Sequence, residues 1–407
     1  MKKWFSIALG IVTATGGFLD VGTVATSGEA GAKFGLGLIW AMLVATVAVI
    51  LLVEMIGRFT ALSQKTYADA IRENFGFKFY LFPLISELIA ESLLLAAEIG
   101  GIAIALSLFT GISWHYLFPV AALLVWILSW RAPFSLIENG PALLGLITLS
   151  FLVAIVALGG PPHGLLPTLW KPDIKQGELG DYLYLVAAIL GATISPYLLF
   201  FYSSGALEEK WSASSLLLNR VTAIVGMGFG SLGSIALAVL GAIVLQPLNI
   251  TSSTLGELGL AMATPFGPIG ALLFAAALFA TCLGAALEVV LALSYTIAQG
   301  FGWEWGEDKK PAEAARFNLV LTIILLVAVA IGLFGTDPLQ LALLASTVIA
   351  LFLPISLTPF LFIMNDSDYL GDHTNGRFAN IAIICVLIIA FIVAVIALPL
   401  EILTGGG

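Results

Sequence analysis

Asp20 stands in the run Gly16-Gly17-Phe18-Leu19-Asp20-Val21-Gly22-Thr23. A second run far along the chain, Gly191-Ala192-Thr193-Ile194-Ser195-Pro196-Tyr197, has a similar mixture of Gly, hydroxyl and helix-breaking residues. Each run interrupts a long apolar stretch. Gly removes the steric bar to non-helical dihedrals and Pro removes an N–H, so both runs are suited to unwinding a helix. An isolated carboxylate at such a depth is costly, and Asp20 should face a cavity, a cation or a proton route. Carbonyls freed by unwinding, that of Gly17 among them, would converge with Asp20 on a cation. The alternative for Asp20 is a structural acid satisfied by a helix N-terminus or by Thr23.

Three more acids, Glu87, Glu91 and Glu98, are spaced by four and seven and so share one helical face. Such a stripe is either an ion or proton path or a set of acids reaching for interfacial water. Glu98 is the functional candidate of the three, while Glu87 and Glu91 fit either reading. Glu288 stands in an apolar run with no opposite charge within a helical turn of it in the sequence, whereas Glu54 has Arg58 one turn on. His115, His163 and His373 lack metal-ligand spacing, and no nucleophile–base pair, phosphate-cradling loop or thiolate set is present. The chain does not read as an enzyme, and no resident cofactor is implied.

These residues must be positioned by membrane helices. The sequence has 407 residues, 60% hydrophobic and only 10% charged, far from the composition of a soluble enzyme. Apolar runs predict eleven spans near 5–30, 34–57, 80–109, 114–130, 139–159, 180–207, 216–246, 266–300, 315–335, 338–364 and 376–402. The N-terminal run continues through Asp20, which fits a retained first helix rather than a cleaved signal peptide. The longest loop, about 160–180, is rich in Pro, Gly and Lys and reads as an ordered surface excursion. With the N-terminus inside, 13 of the 16 Lys and Arg fall on cytoplasmic segments, which predicts a cytoplasmic N-terminus and an outer C-terminus. Cys282 and Cys385 lie within apolar runs and read as small hydrophobes. There is no basic patch for nucleic acid.

The two interrupted spans are five apart, and an odd repeat length inverts the second copy. The expected fold is therefore an all-α polytopic membrane protein of about eleven helices. Two five-helix inverted repeats (5–159 and 180–364) would have broken first and sixth helices, with an extra helix at 376–402, all in one transmembrane domain.

On these residues the chain resembles the NRAMP family of divalent-metal transporters. That family's first helix breaks at Asp-Pro-Gly-Asn; here the run is Asp20-Val21-Gly22-Thr23, followed by Gly31-Ala32-Lys33-Phe34-Gly35. Its sixth helix reads Gly-Ala-Thr-x-Met-Pro-His, matched here by Gly191-Ala192-Thr193-Ile194-Ser195-Pro196-Tyr197. Ala97-Glu98-Ile99-Gly100-Gly101 resembles the third helix and Leu353-Pro354 the tenth. The resemblance implies a cation site of Asp20, Thr23 and Ser195, with backbone carbonyls from Gly17 and Ala192.

The departures from the family pattern carry information of their own. Thr23 replaces an Asn, and Ser195 replaces a Met, exchanging a soft thioether for a hard oxygen. The two usual histidines fall at Tyr197 and Tyr202, an acid at Leu95 and the tenth-helix Gln at Phe352. Groups that titrate near neutrality are gone, which argues against proton coupling. This combination resembles the NRAMP-related magnesium transporter branch, and Mg²⁺ keeps several waters and accepts one or two carboxylates.

The expected activity is alternating-access movement of a divalent cation, Mg²⁺ first and Mn²⁺ or Ca²⁺ next, across the inner or plasma membrane. The cation is substrate, the bilayer is the surrounding partner, and Glu98, Glu91, Glu288, Tyr197, Tyr202 and Phe352 would tune the cavity or a residual proton path. Two alternatives stay open. One is a cation-coupled symporter of an amino acid or other small solute on the same fold, the other a transport-inactive receptor or scaffold.

Overall fold

In hydrocarbon a backbone has only itself to satisfy its N–H and C=O groups, so apolar runs become helices. The computed structural model describes residues 18–132, 134–160, 178–250, 254–306, 309 and 313–404, and among them there is no strand. The first half holds α1 (Val21–Phe34), α2 (Ile39–Ser63), α3 (Tyr67–Phe75), α4 (Phe77–Thr110), α5 (Trp114–Arg131), α6 (Phe134–Gly145) and α7 (Ser150–Ala157). The second half begins with α8 (Leu179–Thr193), α9 (Tyr197–Glu208), α10 (Leu216–Val221) and α11 (Met227–Leu240). It continues with α12 (Leu255–Phe266), α13 (Pro268–Gly300), α14 (Ala315–Leu333), α15 (Pro338–Ile363), α16 (Ser367–Leu370) and α17 (Arg377–Thr404).

Nine helical stretches among the described residues are long and apolar enough to cross a membrane. The other two expected spans are α5, an 18-residue helix, and the first span, of which the structure describes only the part from Phe18 onward. Gly17 and residues 161–177 of the expected 160–180 loop, His163 among them, lie outside the described residues.

Three short helices, α3, α12 and the single turn α16, were not anticipated, because a search for long apolar windows passes over them. The first is α3, which Thr66 opens by accepting the Asp69 N–H at 3.2 Å. It ends at Gly76, whose φ of +82° turns the chain into α4 at little steric cost. The second is α12, which folds back on α13 through Gly267 at φ +60°.

Packing sorts the helices into an inner and an outer set. In the central group, α4 packs on α13 and α15, and α8 packs on α15, while α1 is held among α11, α8 and α15. In the most apolar window, 83% of the Leu179–Glu208 stretch is buried against 28% of α17, so α8 and α9 are interior while α17 faces lipid. Several span ends are tied to one another. Gln64 Nε2 donates to Trp211 O at 2.7 Å, Arg58 Nη2 to Asn375 Oδ1 at 2.9 Å and Arg72 Nη1 to Gln299 O at 2.8 Å. These contacts gather the ends of α2, α9, α13 and α15 at one face of the bundle.

Candidate functional site

At the first break Asp20 has extended backbone (φ −126°, ψ −179°) and caps α1. Its Oδ1 accepts the Thr23 N–H at 2.6 Å and the Thr23 hydroxyl at 2.8 Å, while the Asp20 N–H donates to Thr23 Oγ1 at 2.8 Å. This reciprocal arrangement is a capping box, and it places a carboxylate on a helix N-terminus, where backbone dipoles favour negative charge. The structural role considered for Asp20 is thus present on one of its oxygens. Glu98, from α4, accepts the next amide, Val21 N–H, on Oε1 at 3.0 Å, and the Cys282 thiol of α13 lies against the same carboxyl.

At the second break α8 stops at Thr193 and α9 starts at Tyr197. The cause is local: Pro196 has no N–H to give the Ala192 carbonyl four residues back. Ser195, in the gap, donates its hydroxyl proton to Glu91 Oε1 of α4 at 2.7 Å. Tyr197 begins α9, near enough to Asp20, Glu288, Glu98 and Glu91 for their charges to act on it.

Glycines bring the breaks together. A Cβ placed on Gly22 would lie 2.8 Å from Ser346 Oγ, 3.3 Å from Ala192 Cβ and 3.4 Å from Asp20 Oδ1. One on Gly191 would lie 1.8 Å from Ser346 O. Only hydrogen fits at either position, so α1, α8 and α15 meet almost backbone to backbone beside Asp20. Asp20, Thr23, Ala192 and Ser195 are all 5% exposed or less.

The other expected residues are spread more widely. Tyr202 is a turn beyond Tyr197 and its hydroxyl donates to Asn219 Oδ1 at 3.2 Å, which ties it to α10 rather than to Asp20. Phe352 is half-buried in α15, nearly two turns past Ser346. Glu87 accepts the Ser356 hydroxyl at 2.5 Å, and the Tyr67 hydroxyl donates to the Ser356 carbonyl. Glu54 pairs with Arg58 at 3.1 Å, as their spacing predicts.

Ser346 and Ser356 escaped the sequence reading, and Cys282, read there as a small hydrophobe, lies against the Glu98 carboxyl. Their one signal is a hydroxyl or thiol within an otherwise apolar run, and nothing in that run says which face is inward.

Asp20, Glu87, Glu91 and Glu98 are each at least 97% buried, and among the described residues none forms an ion pair with Lys, Arg or His. Glu87 Oε2 and Glu91 Oε2 take no hydrogen bond. Unpaired buried charge is unfavourable by several kcal/mol per ion, so this interior calls for protons or a cation. Among the described residues no three acidic, His or Cys side chains converge as a chelating cage. An apolar cleft of about 620 Å³ between α15 and α17, ending at Asn365 and Asn380, shares no residue with this site.

A buried carboxylate at the start of α1, set against the interior break between α8 and α9, is the kind of arrangement found in helical membrane carriers. The sequence pattern of the natural resistance-associated macrophage protein-like (NRAMP) family matches residues 10–399, and the chain belongs to that family. Among its relatives, a protein named divalent metal cation transporter MntH from Deinococcus radiodurans is 26% identical over 404 residues, covering 93% of this chain and 86% of the relative. The MntH of Mycobacterium leprae is 25% identical over 389 residues, covering 92% and 86%.

Solved structures agree on the fold. The Eremococcus coleocola manganese transporter, in complex with an aromatic bis-isothiourea compound, superposes with a TM-score of 0.77 at 20% identity, covering 96% of this chain and 85% of that one. Mhp1, a nucleobase-cation-symport-1 family transporter in a closed conformation, gives 0.60 at 13% identity, covering 98% and 93%.

Proposed function

We propose that this chain carries a divalent cation by alternating access, that it prefers Mg²⁺ over Mn²⁺ and Ca²⁺, and that its flux is uncoupled or weakly coupled to protons. The observation that carries the reading is the donor set at the two breaks. Asp20 brings one carboxylate, Thr23 and Ser195 bring hydroxyls, and the Ala192 carbonyl has lost its helical donor to Pro196. Gly17 would add a second carbonyl. All of these are hard oxygens, and no thioether or imidazole stands among them.

One carboxylate with neutral oxygens suits a cation that retains part of its water shell. The relatives named above are called divalent metal cation or manganese transporters, which supports a divalent cargo. Ser195, where the family pattern has Met, supports the shift toward Mg²⁺. Tyrosines stand at 197 and 202 where the family pattern has histidines, which supports weak coupling.

The orientation we propose has the N-terminus cytoplasmic and the C-terminus outside, from the distribution of Lys and Arg. The two inverted repeats would span 5–159 and 180–364.

The test is uptake into proteoliposomes containing the full chain, loaded with a Mg²⁺ dye and, in parallel, a pH dye. Mg²⁺ entry without acidification is expected, with Mn²⁺ and Ca²⁺ entering more slowly. Silence for all three ions, or acidification that scales with Mg²⁺ entry, contradicts the reading.

A further inference from the structure

Ser195 and Glu91 are 104 residues apart in sequence, on different helices, and both are buried. With Glu91 as the carboxylate, their 2.7 Å contact has one polarity, because a carboxylate only accepts. A hydroxyl has one proton and two lone pairs. With the proton committed to Glu91, both lone pairs of Ser195 are free of hydrogen on the side away from α4. Without that acceptor, the O–H is free to turn toward a cation and repel it.

The companion contact makes the same use of α4 at the other break, where Glu98 Oε1 holds the Val21 N–H at 3.0 Å. Residues 91 and 98 share a helical face and are separated by about 10 Å along it, at 1.5 Å per residue. One rigid helix thus presents a carboxyl to each break.

We propose that Glu91 is a positioning residue that orients the Ser195 hydroxyl as a cation ligand and so sets the affinity and oxygen character of the site. This rests on the proposed cation site at Asp20 and goes beyond it. Glu91 itself need not touch the ion.

The experiment is Mg²⁺ titration calorimetry on the purified full chain, with wild type, Asp20→Asn, Glu91→Gln, Glu91→Leu, Ser195→Ala and the Ser195→Ala/Glu91→Leu double variant. Glu91→Gln retains a carbonyl acceptor and is expected to bind nearly as wild type. Glu91→Leu should weaken binding by about 10- to 100-fold, the range seen when partners that orient metal ligands are removed. In the Ser195→Ala background the same change should cost nothing further.

An equal loss in both backgrounds would show that Glu91 acts independently of Ser195, and no loss in Glu91→Leu would likewise overturn the proposal. The Glu91→Gln variant guards against misfolding, since its recovery of binding needs the acceptor and an intact fold together. Equal binding by wild type and Asp20→Asn would instead remove the Asp20 reading, and this proposal with it.

Discussion

Asp20 uses one oxygen as a helix cap, and on the proposed reading the other serves the cation, so the two roles can be separated by substitution. Asn caps a helix about as well as Asp does but carries no charge. Asp20→Asn should therefore keep the fold and lose the cation, whereas Asp20→Ala should lose both the cation and about 1 kcal/mol of helix stability. Thermal melts of the two variants beside wild type would show this split; equal destabilisation by both would mean that the charge, not the cap, matters to the fold. Ser195→Met restores a thioether and should move preference toward Mn²⁺ in competitive uptake. Unchanged selectivity would remove Ser195 from the ligand set. At this scale much was readable beforehand, because Gly, Pro and an acid within an apolar run act locally. The contact of Ser195 with Glu91 was not, since it depends on how two distant helices dock.

Helix α1 is the element on which the site depends, and small residues fix where it sits. A Cβ on Gly31 would lie 2.1 Å from the Ala238 carbonyl, and one on Gly241 would lie 2.9 Å from the Gly28 carbonyl. This close approach resembles the small-residue packing of membrane helices. The partner is not a plain α-helix: π turns at Thr222–Gly226 and Gly241–Leu245 flank α11, and such turns often mark functional segments. Gly31→Ala inserts one methyl against backbone that has no side chain to move, and should cost about 1–3 kcal/mol. A lowered melting temperature with reduced uptake is the expected outcome. A wild-type melt would show that α11 can shift aside. Neither the π turns nor the short helix α12 was legible in the sequence, because hydropathy reports burial and length but not an extra residue in one turn.

Across the whole molecule, the Asp20 site lies between two tied faces. On the face we assign as outer, Lys33 pairs with Glu29 at 3.2 Å and reaches Asp181 at 3.9 Å. Nearby, the Tyr182 hydroxyl accepts from Trp40 Nε1 at 2.8 Å and donates to the Gly37 carbonyl at 3.2 Å. Phe34 packs edge-on against the Tyr182 ring at 5.3 Å. These contacts fasten α1 and the start of α2 to α8. Tyr182→Phe removes both hydrogen bonds and should shift the population toward an outward-open state. A Ser195→Cys reporter, in a background without Cys282 and Cys385, should then react faster with an impermeant thiol reagent added outside; an unchanged rate would show that the tie does not hold the gate. An alternation of span ends is expected from the basic residues, but the tie itself joins aromatic and backbone groups that no charge census registers. The most direct test of the account is Mg²⁺ titration calorimetry on purified wild type and Asp20→Asn. Saturable binding to wild type and none to a folded Asp20→Asn is the predicted result; equal binding by both, or none by wild type, would contradict it.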